Sequence, residues 1–517
     1  MINDPSRLVL VASNRGPVSF GFTEDGTLSA KRGGGGMVSG LTSGLAAIAA
    51  DGGVLWVAAA LSDADREAAR HGAQADGGPG DAPVRLLDIP ADTLDAAYNR
   101  VSNSVLWFVH HLLFATPSQP RFDQAFRRDW AAYAAYNEAF AAALADESGK
   151  GTSVLVQDYH LALVPRLLRD RGTGARIAHF QHTPWAPPEY FRMLPDEVAT
   201  QLLDGMLGAD HAGFLSGRWA GAFLDCCEEV LGARVSRAAG TPAAGTPGVG
   251  TSVAGTPGVG TPAAGTLAAA DGGVAGRVTH RGHVTEVAVH PLGVDTDGLR
   301  ARASADDVRA HVRALREQAA DRQLIVRVDR TELSKNIVRG LAAYAELLAT
   351  RPQWRGRVTH LAFAYPSRSG LAEYQAYTRQ VSELAQAVNE EFRTPGWEPV
   401  VLEVKDDYAR SLAACTVADV LLINPIRDGM NLVAEEGPIL SERGCALVLS
   451  REAGAADLFG EHSLLVNPYD VTETADALHA GLSMSPEERR RRSAVIAEAA
   501  AARAPRHWLG EQLAALR

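Results

Sequence analysis

The sequence predicts an α/β protein built on doubly wound parallel sheets, and three observations carry that expectation. Short apolar runs alternate with helical patterns along most of the chain. Leu8–Ala12, Val54–Val57, Ser153–Gln157, Ile177–Gln181, Leu324–Val328, Val420–Ile423 and Ala446–Ser450 read as strands, and most are unbroken apolar runs, as strands buried on both faces do. Polar and charged residues gather just after several of these runs, at the carboxyl edge where open α/β sheets hold ligands.

With 517 residues the chain has room for two domains with cores of ordinary size. Its 46% hydrophobic and 21% charged residues fit a soluble globular protein. The formal charge of −11 argues against a nucleic-acid backbone or an anionic membrane as main partner. Cys226, Cys227, Cys415 and Cys445 lack metal-ligand spacing, and the adjacent pair is poorly placed for a disulfide. Reduced thiols, no signal peptide and no apolar run of about 18 residues lead us to expect a cytoplasmic protein.

In chain order, the first strand ends at Ser13-Asn-Arg-Gly-Pro17, and a turn region, Lys31-Arg-Gly-Gly-Gly-Gly36, leads into an apolar helix reaching about Ala50. Glycines there let the backbone approach a ligand with its amides free, although a flexible turn reads the same way. Leu94–Phe114, with Tyr98, Asn103, Trp107, His110 and His111, is expected to be helical. The Ser153 strand opens onto Asp158-Tyr-His160, and the Ile177 strand onto His182-Thr-Pro-Trp185. Residues 238–276, with Gly-Thr recurring every five residues from Gly240 to Gly265, cannot build a core and read as a disordered surface insertion. Thr285–His290 is a strand again, and Ser485-Pro-Glu-Glu-Arg starts a helix with Glu–Arg pairs on a solvated face.

The most informative stretch is Asn424-Pro-Ile-Arg-Asp-Gly-Met-Asn-Leu-Val-Ala-Glu-Glu-Gly437. Asn424-Pro425 ends a strand, Asp428-Gly429 allows a tight turn, and Asn431 is expected to cap a helix starting at Leu432. Free amides at such a helix start suit phosphate, whereas Asp428 and Glu436 suit sugar hydroxyls. A capped helix with two solvated acids is the plain alternative. Arg330 and Lys335 lie five apart in a strand-to-helix loop, as a diphosphate clamp needs. Arg15, Arg330, Lys335 and Arg368 all follow strands, enough cations for two phosphate groups.

Taken in order, Ser13-Asn-Arg15, the Gly-rich loop, Gln157-Asp-Tyr-His160, His182-Thr-Pro184, Arg330 with Lys335, Ser367-Arg368 and Arg427-Asp-Gly-Met-Asn431 resemble the trehalose-6-phosphate synthases. The likeness covers nearly the whole chain outside the repeat insertion. It implies the GT-B fold, two Rossmann-like domains facing a central cleft. The expected divisions are an acceptor-side domain over 1–290, a nucleotide-sugar domain over 291–495, and a C-terminal helix over 496–517 returning to the first domain. The implied reaction is retaining transfer of glucose from UDP-glucose or GDP-glucose to glucose 6-phosphate, without metal or cofactor, in a homo-oligomer. By the resemblance, Arg15, Tyr98, Trp107 and Arg368 hold the acceptor, Asp158 orients it, and His182 meets the donor glucose. Gly36, Arg330 and Lys335 bind the diphosphate. Asp428, Gly429 and the Met430, Asn431, Leu432 and Val433 backbone grip glucose and phosphate, and Glu436 takes the ribose hydroxyls.

Three departures from the family pattern stand out. Ala59 replaces a tryptophan that touches the acceptor, Gln157 replaces a histidine, and Asn336 replaces the glycine after the clamp lysine. The first keeps open a relative using glycerol phosphate or a cyclitol phosphate. A non-catalytic sugar-phosphate sensor is the other alternative, expected to have lost Asp158, Arg330 or Lys335, all of which are present.

Overall fold

The computed structural model describes residues 8–32, 38, 40–42, 44–45, 53–71, 83–239, 273–368 and 370–517. The chain divides into two compact units. One comprises Met1–Thr246, Asp271–Leu292 and Pro505–Arg517; the other comprises Pro247–Ala270 and Gly293–Ala504.

In the first unit the strands are β1 (Val9–Ser13), β2 (Val18–Phe22), β3 (Leu28–Arg32), β4 (Val54–Ala59), β5 (Val84–Leu87), β6 (Ser153–Gln157), β7 (Arg176–Gln181), β8 (His211–Phe214), β9 (Arg234–Arg237), β10 (Gly273–His280) and β11 (His283–Val289). Nine of them form one sheet in the order β5-β4-β1-β6-β7-β8-β11-β10-β9, parallel from β5 to β11. Leaving aside the β2–β3 hairpin, β1, β4, β5, β6, β7 and β8 taken as first to sixth read 3-2-1-4-5-6, the Rossmann order. The order reverses between β1 and β6, whose five buried or nearly buried residues each fill the sheet's centre. A ligand crevice is expected at that reversal, and the loops after β1 and β6 flank it.

A long helix, Gln124–Glu147, capped by Asp123, fixes both loops from one face. Tyr136 Oη donates to Asn14 Oδ1 at 2.7 Å, and Tyr133 Oη to the Tyr159 carbonyl at 2.6 Å. Asn137, one turn beyond Tyr133, binds the His160 carbonyl at 3.2 Å and receives the Leu163 amide at 3.1 Å. Spacings of three and four put these side chains on one stripe. All three are fully or almost fully buried.

The second unit carries β12 (Gln323–Arg330), β13 (Val358–Tyr365), β14 (Val400–Glu403), β15 (Val420–Ile423), β16 (Ala446–Ser450) and β17 (Leu464–Val466). Its sheet is wholly parallel, in the order β14-β13-β12-β15-β16-β17. Numbered from β12, this is again 3-2-1-4-5-6. β12 and β15 pair only at Ile325–Val420 and Val326–Leu421, after which β12 runs on to Arg330. The helix Ile337–Thr350 buries Ile337, Leu341, Tyr344 and Leu348 against this sheet, a stripe of period 3.6.

Several expectations need correction. Lys31 and Arg32, expected in a turn, end strand β3, paired with β2, and Gly33–Gly36 lie outside the described residues. The expected insertion is too long at its far end: Gly273–Gly276 opens β10 and pairs with β11, where β-branched residues resume. Residues 240–272 of it lie outside the described residues. The single helix expected over 496–517 is two, Pro486–Ala501 and Pro505–Ala514, because Pro505 starts a new helix. Asn431 is not a side-chain cap. It sits at φ 75° and turns its Nδ2 to Asp428 Oδ2 at 3.1 Å, while Leu432 precedes the helix Val433–Leu440.

Candidate active site

In the first unit, the loops after β1, β6 and β7 bring Arg15, Asp158, His160 and His182 into one chain of contacts, joined by Tyr98 from the helical stretch 96–106. Arg15 Nη2 donates to Tyr98 Oη at 3.1 Å, and the Tyr98 ring stacks on His160 with centroids 5.6 Å apart. Tyr98 lies in a π-helical stretch, Ala96–Leu106, whose wider turn alters side-chain phase at this point. His160 Nδ1 lies 3.8 Å from Asp158 Oδ2, and Asp158 Oδ1 accepts the His182 amide at 3.2 Å. Asp158 itself holds φ 70° and ψ 169°, a region that side chains other than glycine's rarely enter. Its own amide donates to the Phe180 carbonyl at 2.7 Å, which ties the strained residue to β7. Trp107 is buried, stacked on His111 at 3.8 Å and tilted against Tyr159, a wall position behind the loop.

His182 is held as a neutral ring. Burial, with His179 beside it, pulls its imidazole down to about 3. Its Nε2 lies 2.9 Å from Gln157 Oε1, so the departure at 157 supplies an uncharged hydrogen-bond partner for this ring. Phe180 and Trp508 pack on His182 with centroids 4.8 and 5.7 Å away.

The second unit's candidate site is charged. After β12 the chain makes a short 3-10 turn, Leu333–Lys335, and then Asn336 at φ 57° before the next helix. That left-handed position explains why glycine would serve there and why asparagine is tolerated. Asn336 also donates from Nδ2 to the carbonyls of Asn424 (2.9 Å) and Pro468 (2.7 Å), pinning the loop. Lys335 Nζ meets Asp428 Oδ2 at 2.5 Å. Burial lowers the lysine's proton affinity, but Asp428 and Asp329 outweigh it and leave the ammonium more firmly protonated.

Arg330 and Arg368 converge on one buried carboxylate, Glu332. Arg330 Nη1 lies 2.9 Å from Glu332 Oε1, Arg368 Nη1 lies 3.5 Å from the same oxygen, and Ser367 Oγ donates to it at 2.9 Å. Burial would raise the Glu332 carboxyl, yet Arg330, Arg368 and Lys335 together hold it down at about 2. Arg330 keeps 43% of its side chain exposed, so a ligand can reach it. Behind them, buried Arg327 ties Asp329 (Nε to Oδ2, 3.0 Å), Asn424 Oδ1 (3.0 Å) and the Lys335 carbonyl (2.9 Å) into one support. A side chain at Gly340 would strike Arg327 Nη1 at 2.2 Å, so that glycine makes room for the guanidinium.

The Asp428–Val433 segment is clamped against the loop after β16. The Asp428 amide reaches the Glu452 carbonyl at 3.2 Å, and the Gly454 and Ala455 amides reach the carbonyls of Asp428 (3.1 Å) and Met430 (3.0 Å). Glu435 and Glu436 lie in the first turn of the following helix. Burial alone raises the Glu436 carboxyl to about 7. Glu435 is fully buried, accepts the Val294 amide at 3.1 Å, and is raised to about 8 mainly by burial.

The structure thus gathers Arg15, Tyr98, Asp158 and His182 in the first unit. In the second it gathers Arg330, Lys335, Arg368 and Asp428 with Gly429–Val433 and Glu436. Gly36 lies outside the described residues. The sequence reading gave no role to Glu332, to His160 or to the Tyr133–Tyr136–Asn137 stripe. The acid two places after Arg330 was a readable signal for the first; nothing local marks the last. Among the described residues no group of three or more His, Cys, Asp or Glu could hold a metal ion, and no helix is long and apolar enough to cross a membrane.

Two sheets in the Rossmann order, each with polar loops at its reversal point, define the class of GT-B glycosyltransferases. The chain belongs to glycosyltransferase family 20, whose model matches residues 7–517. A UDP-forming alpha,alpha-trehalose-phosphate synthase of Botryotinia fuckeliana is 32% identical over 496 residues, covering 94% of this chain and 83% of that protein. One of Arabidopsis thaliana is 31% identical over 399 residues, 76% of this chain. The chain spans only 38% of that relative's length, and 54% of a second Arabidopsis relative's. A solved E. coli structure bound with UDP-2-fluoro glucose superimposes with a TM-score of 0.78 at 26% identity, over 98% of both chains.

Proposed function

We propose that the protein transfers glucose from UDP-glucose to glucose 6-phosphate with retention of configuration, releasing UDP and α,α-trehalose 6-phosphate. The observation that carries this reading is the cation cluster at the second sheet's reversal point, where Arg330, Lys335 and Arg368 are held by Glu332 and Asp428. Such fixed donors stabilise a diphosphate most as it leaves and gains charge. The names of the relatives support the donor and the product.

In this reading Lys335 and Arg330 hold the diphosphate, Asp428 and the following backbone hold the glucose, and Glu436 binds the ribose. Arg15, Tyr98 and Trp107 form the acceptor side, together with Arg368 for its phosphate. The bond from the anomeric carbon to the acceptor oxygen forms on the face where the carbon–phosphate oxygen bond breaks. A phosphate oxygen of the leaving UDP takes the acceptor's hydroxyl proton. Asp158 orients the acceptor. His182, neutral at working pH, contributes a hydrogen bond to the donor sugar and no charge. Four unpaired buried thiols agree with a cytoplasmic setting, and a homo-oligomer is the assembly to look for by light scattering.

One observation favours a second acceptor reading. Ala59 ends β4 buried, with its amide 3.4 Å from the Asn14 carbonyl beside Arg15, so a small side chain stands next to the acceptor loop. The test is purified protein with UDP-, GDP- or ADP-glucose and, in turn, glucose 6-phosphate, glycerol phosphate or a cyclitol phosphate. Nucleotide release is followed and the sugar identified by NMR. UDP release with an α,α-linked disaccharide phosphate is expected; release only with another acceptor would replace glucose 6-phosphate in the reading.

A further inference from the structure

We infer that Glu332 is a positioning residue common to both phosphate subsites, setting the guanidinium of Arg330 for the donor diphosphate and that of Arg368 for the acceptor phosphate. The inference rests on the reading above and deepens it, because neither arginine alone explains why a carboxylate is buried between them. Glu332 is fully buried, and one of its oxygens receives Arg330 at 2.9 Å, Ser367 at 2.9 Å and Arg368 at 3.5 Å. An anion excluded from water is stable only with such partners, and it constrains them in return.

Geometry at each arginine supports this role. Arg330 keeps 43% of its side chain exposed, so the carboxylate fixes one corner of the fork at a place a ligand can reach. Arg368 sits at φ 47° and also donates to Tyr374 Oη at 2.6 Å, so its side chain is held from two sides. The Glu332 amide donates to the Arg330 carbonyl at 2.7 Å, which turns the backbone so that the acid faces back toward the arginine two residues earlier. One side chain therefore fixes the direction of both cations, and misplacing it costs most in the transition state, where the leaving diphosphate gains charge.

Removing this negative charge leaves the two cations less compensated, so a purely electrostatic role would give tighter phosphate binding and undiminished turnover. A positioning role gives the opposite split. For Glu332→Gln, we expect UDP affinity within about threefold of wild type and kcat lower by about 10–100-fold, the size of effect that misplaced transition-state donors produce. Glu332→Asp, which keeps the charge, should recover part of the loss. Ser367→Ala, which keeps both charge and fold, should lower kcat by about threefold with UDP affinity unchanged; it serves if the glutamine variant fails to fold, as judged by its melting curve. A folded Glu332→Gln variant with wild-type kcat, or one losing kcat and UDP affinity in equal proportion, would overturn the inference; so would Ser367→Ala with unaltered kcat. Wild-type protein that binds no UDP and makes no disaccharide would instead overturn the functional reading, and this inference with it.

Discussion

The two units use the same strand order yet prepare their candidate sites by opposite means. In the first, the site is organised by backbone and neutral hydrogen bonds: Asp158 at a strained φ, His182 uncharged against Gln157, and a stripe of buried hydroxyl and amide groups behind the loops. In the second it is organised by ion pairs, Lys335 with Asp428 and two arginines with Glu332. Under the proposed function, the contrast follows from what each would hold. Sugar hydroxyls need donors and acceptors at set angles, whereas a diphosphate needs concentrated positive charge that stays in place.

The sharpest test of this contrast is to damage each side and read binding and turnover separately. Asp158→Asn keeps the side chain's size and shape at this strained position but removes the charge. It should lower kcat by about 100-fold or more while UDP binds as before, measured by calorimetry beside steady-state kinetics. Retained turnover would remove Asp158 from the mechanism and weaken the contrast. Lys335→Ala should instead act on binding. Losing one charge-assisted hydrogen bond of about 1.5–3 kcal/mol would weaken UDP by roughly 10–100-fold, and the remaining affinity should fall with salt less steeply than in wild type.

The third test concerns the charged unit's stability. Glu435 is raised from 4.5 to about 8 by burial, so its protonated form belongs to the folded state. Its contribution is complete below pH 4.5 and is lost as pH rises through about 8. Melting temperature should therefore drop between about pH 4.5 and 8 and level off above 8, and Glu435→Gln should flatten that drop. An unchanged slope would show that the carboxylate is accommodated as an anion. The smallest effect is expected for Asn336→Gly. The glycine suits φ 57° but loses the two bonds to Asn424 and Pro468, a net cost of about 1 kcal/mol or less in chemical denaturation.

Legibility in the sequence divides along physical lines. Buried parallel strands are unbroken apolar runs, so β1, β4, β6, β7, β12, β15 and β16 could be read directly. The loops after β12 and β15 were equally plain, because charged and small residues interrupt those runs abruptly. Asn431 misled because a helix-start residue type met a segment whose turn is set by Asp428 and the loop after β16, a contact some 25 residues along the chain. The β2–β3 hairpin went unread because its strands are short and largely exposed, with too little apolar alternation. Tyr133, Tyr136 and Asn137 lay on an ordinary-looking helix, and only the fold shows which loops they hold.

The helix Pro505–Ala514 carries a consequence for how the molecule is made. It belongs to the first unit, where Trp508 packs edge-on against Phe180 and next to His182, and Glu511 meets His290 at 2.9 Å. A chain emerging from the ribosome would have synthesised the whole first sheet long before this helix exists. Until residue 514 is released, Phe180 and His182 would lack their cover, and a binding partner for nascent hydrophobic surface would find its target there. Completion of the first unit is thus timed by the end of translation of the second, and a slow stretch of codons within the second would prolong the interval of exposure.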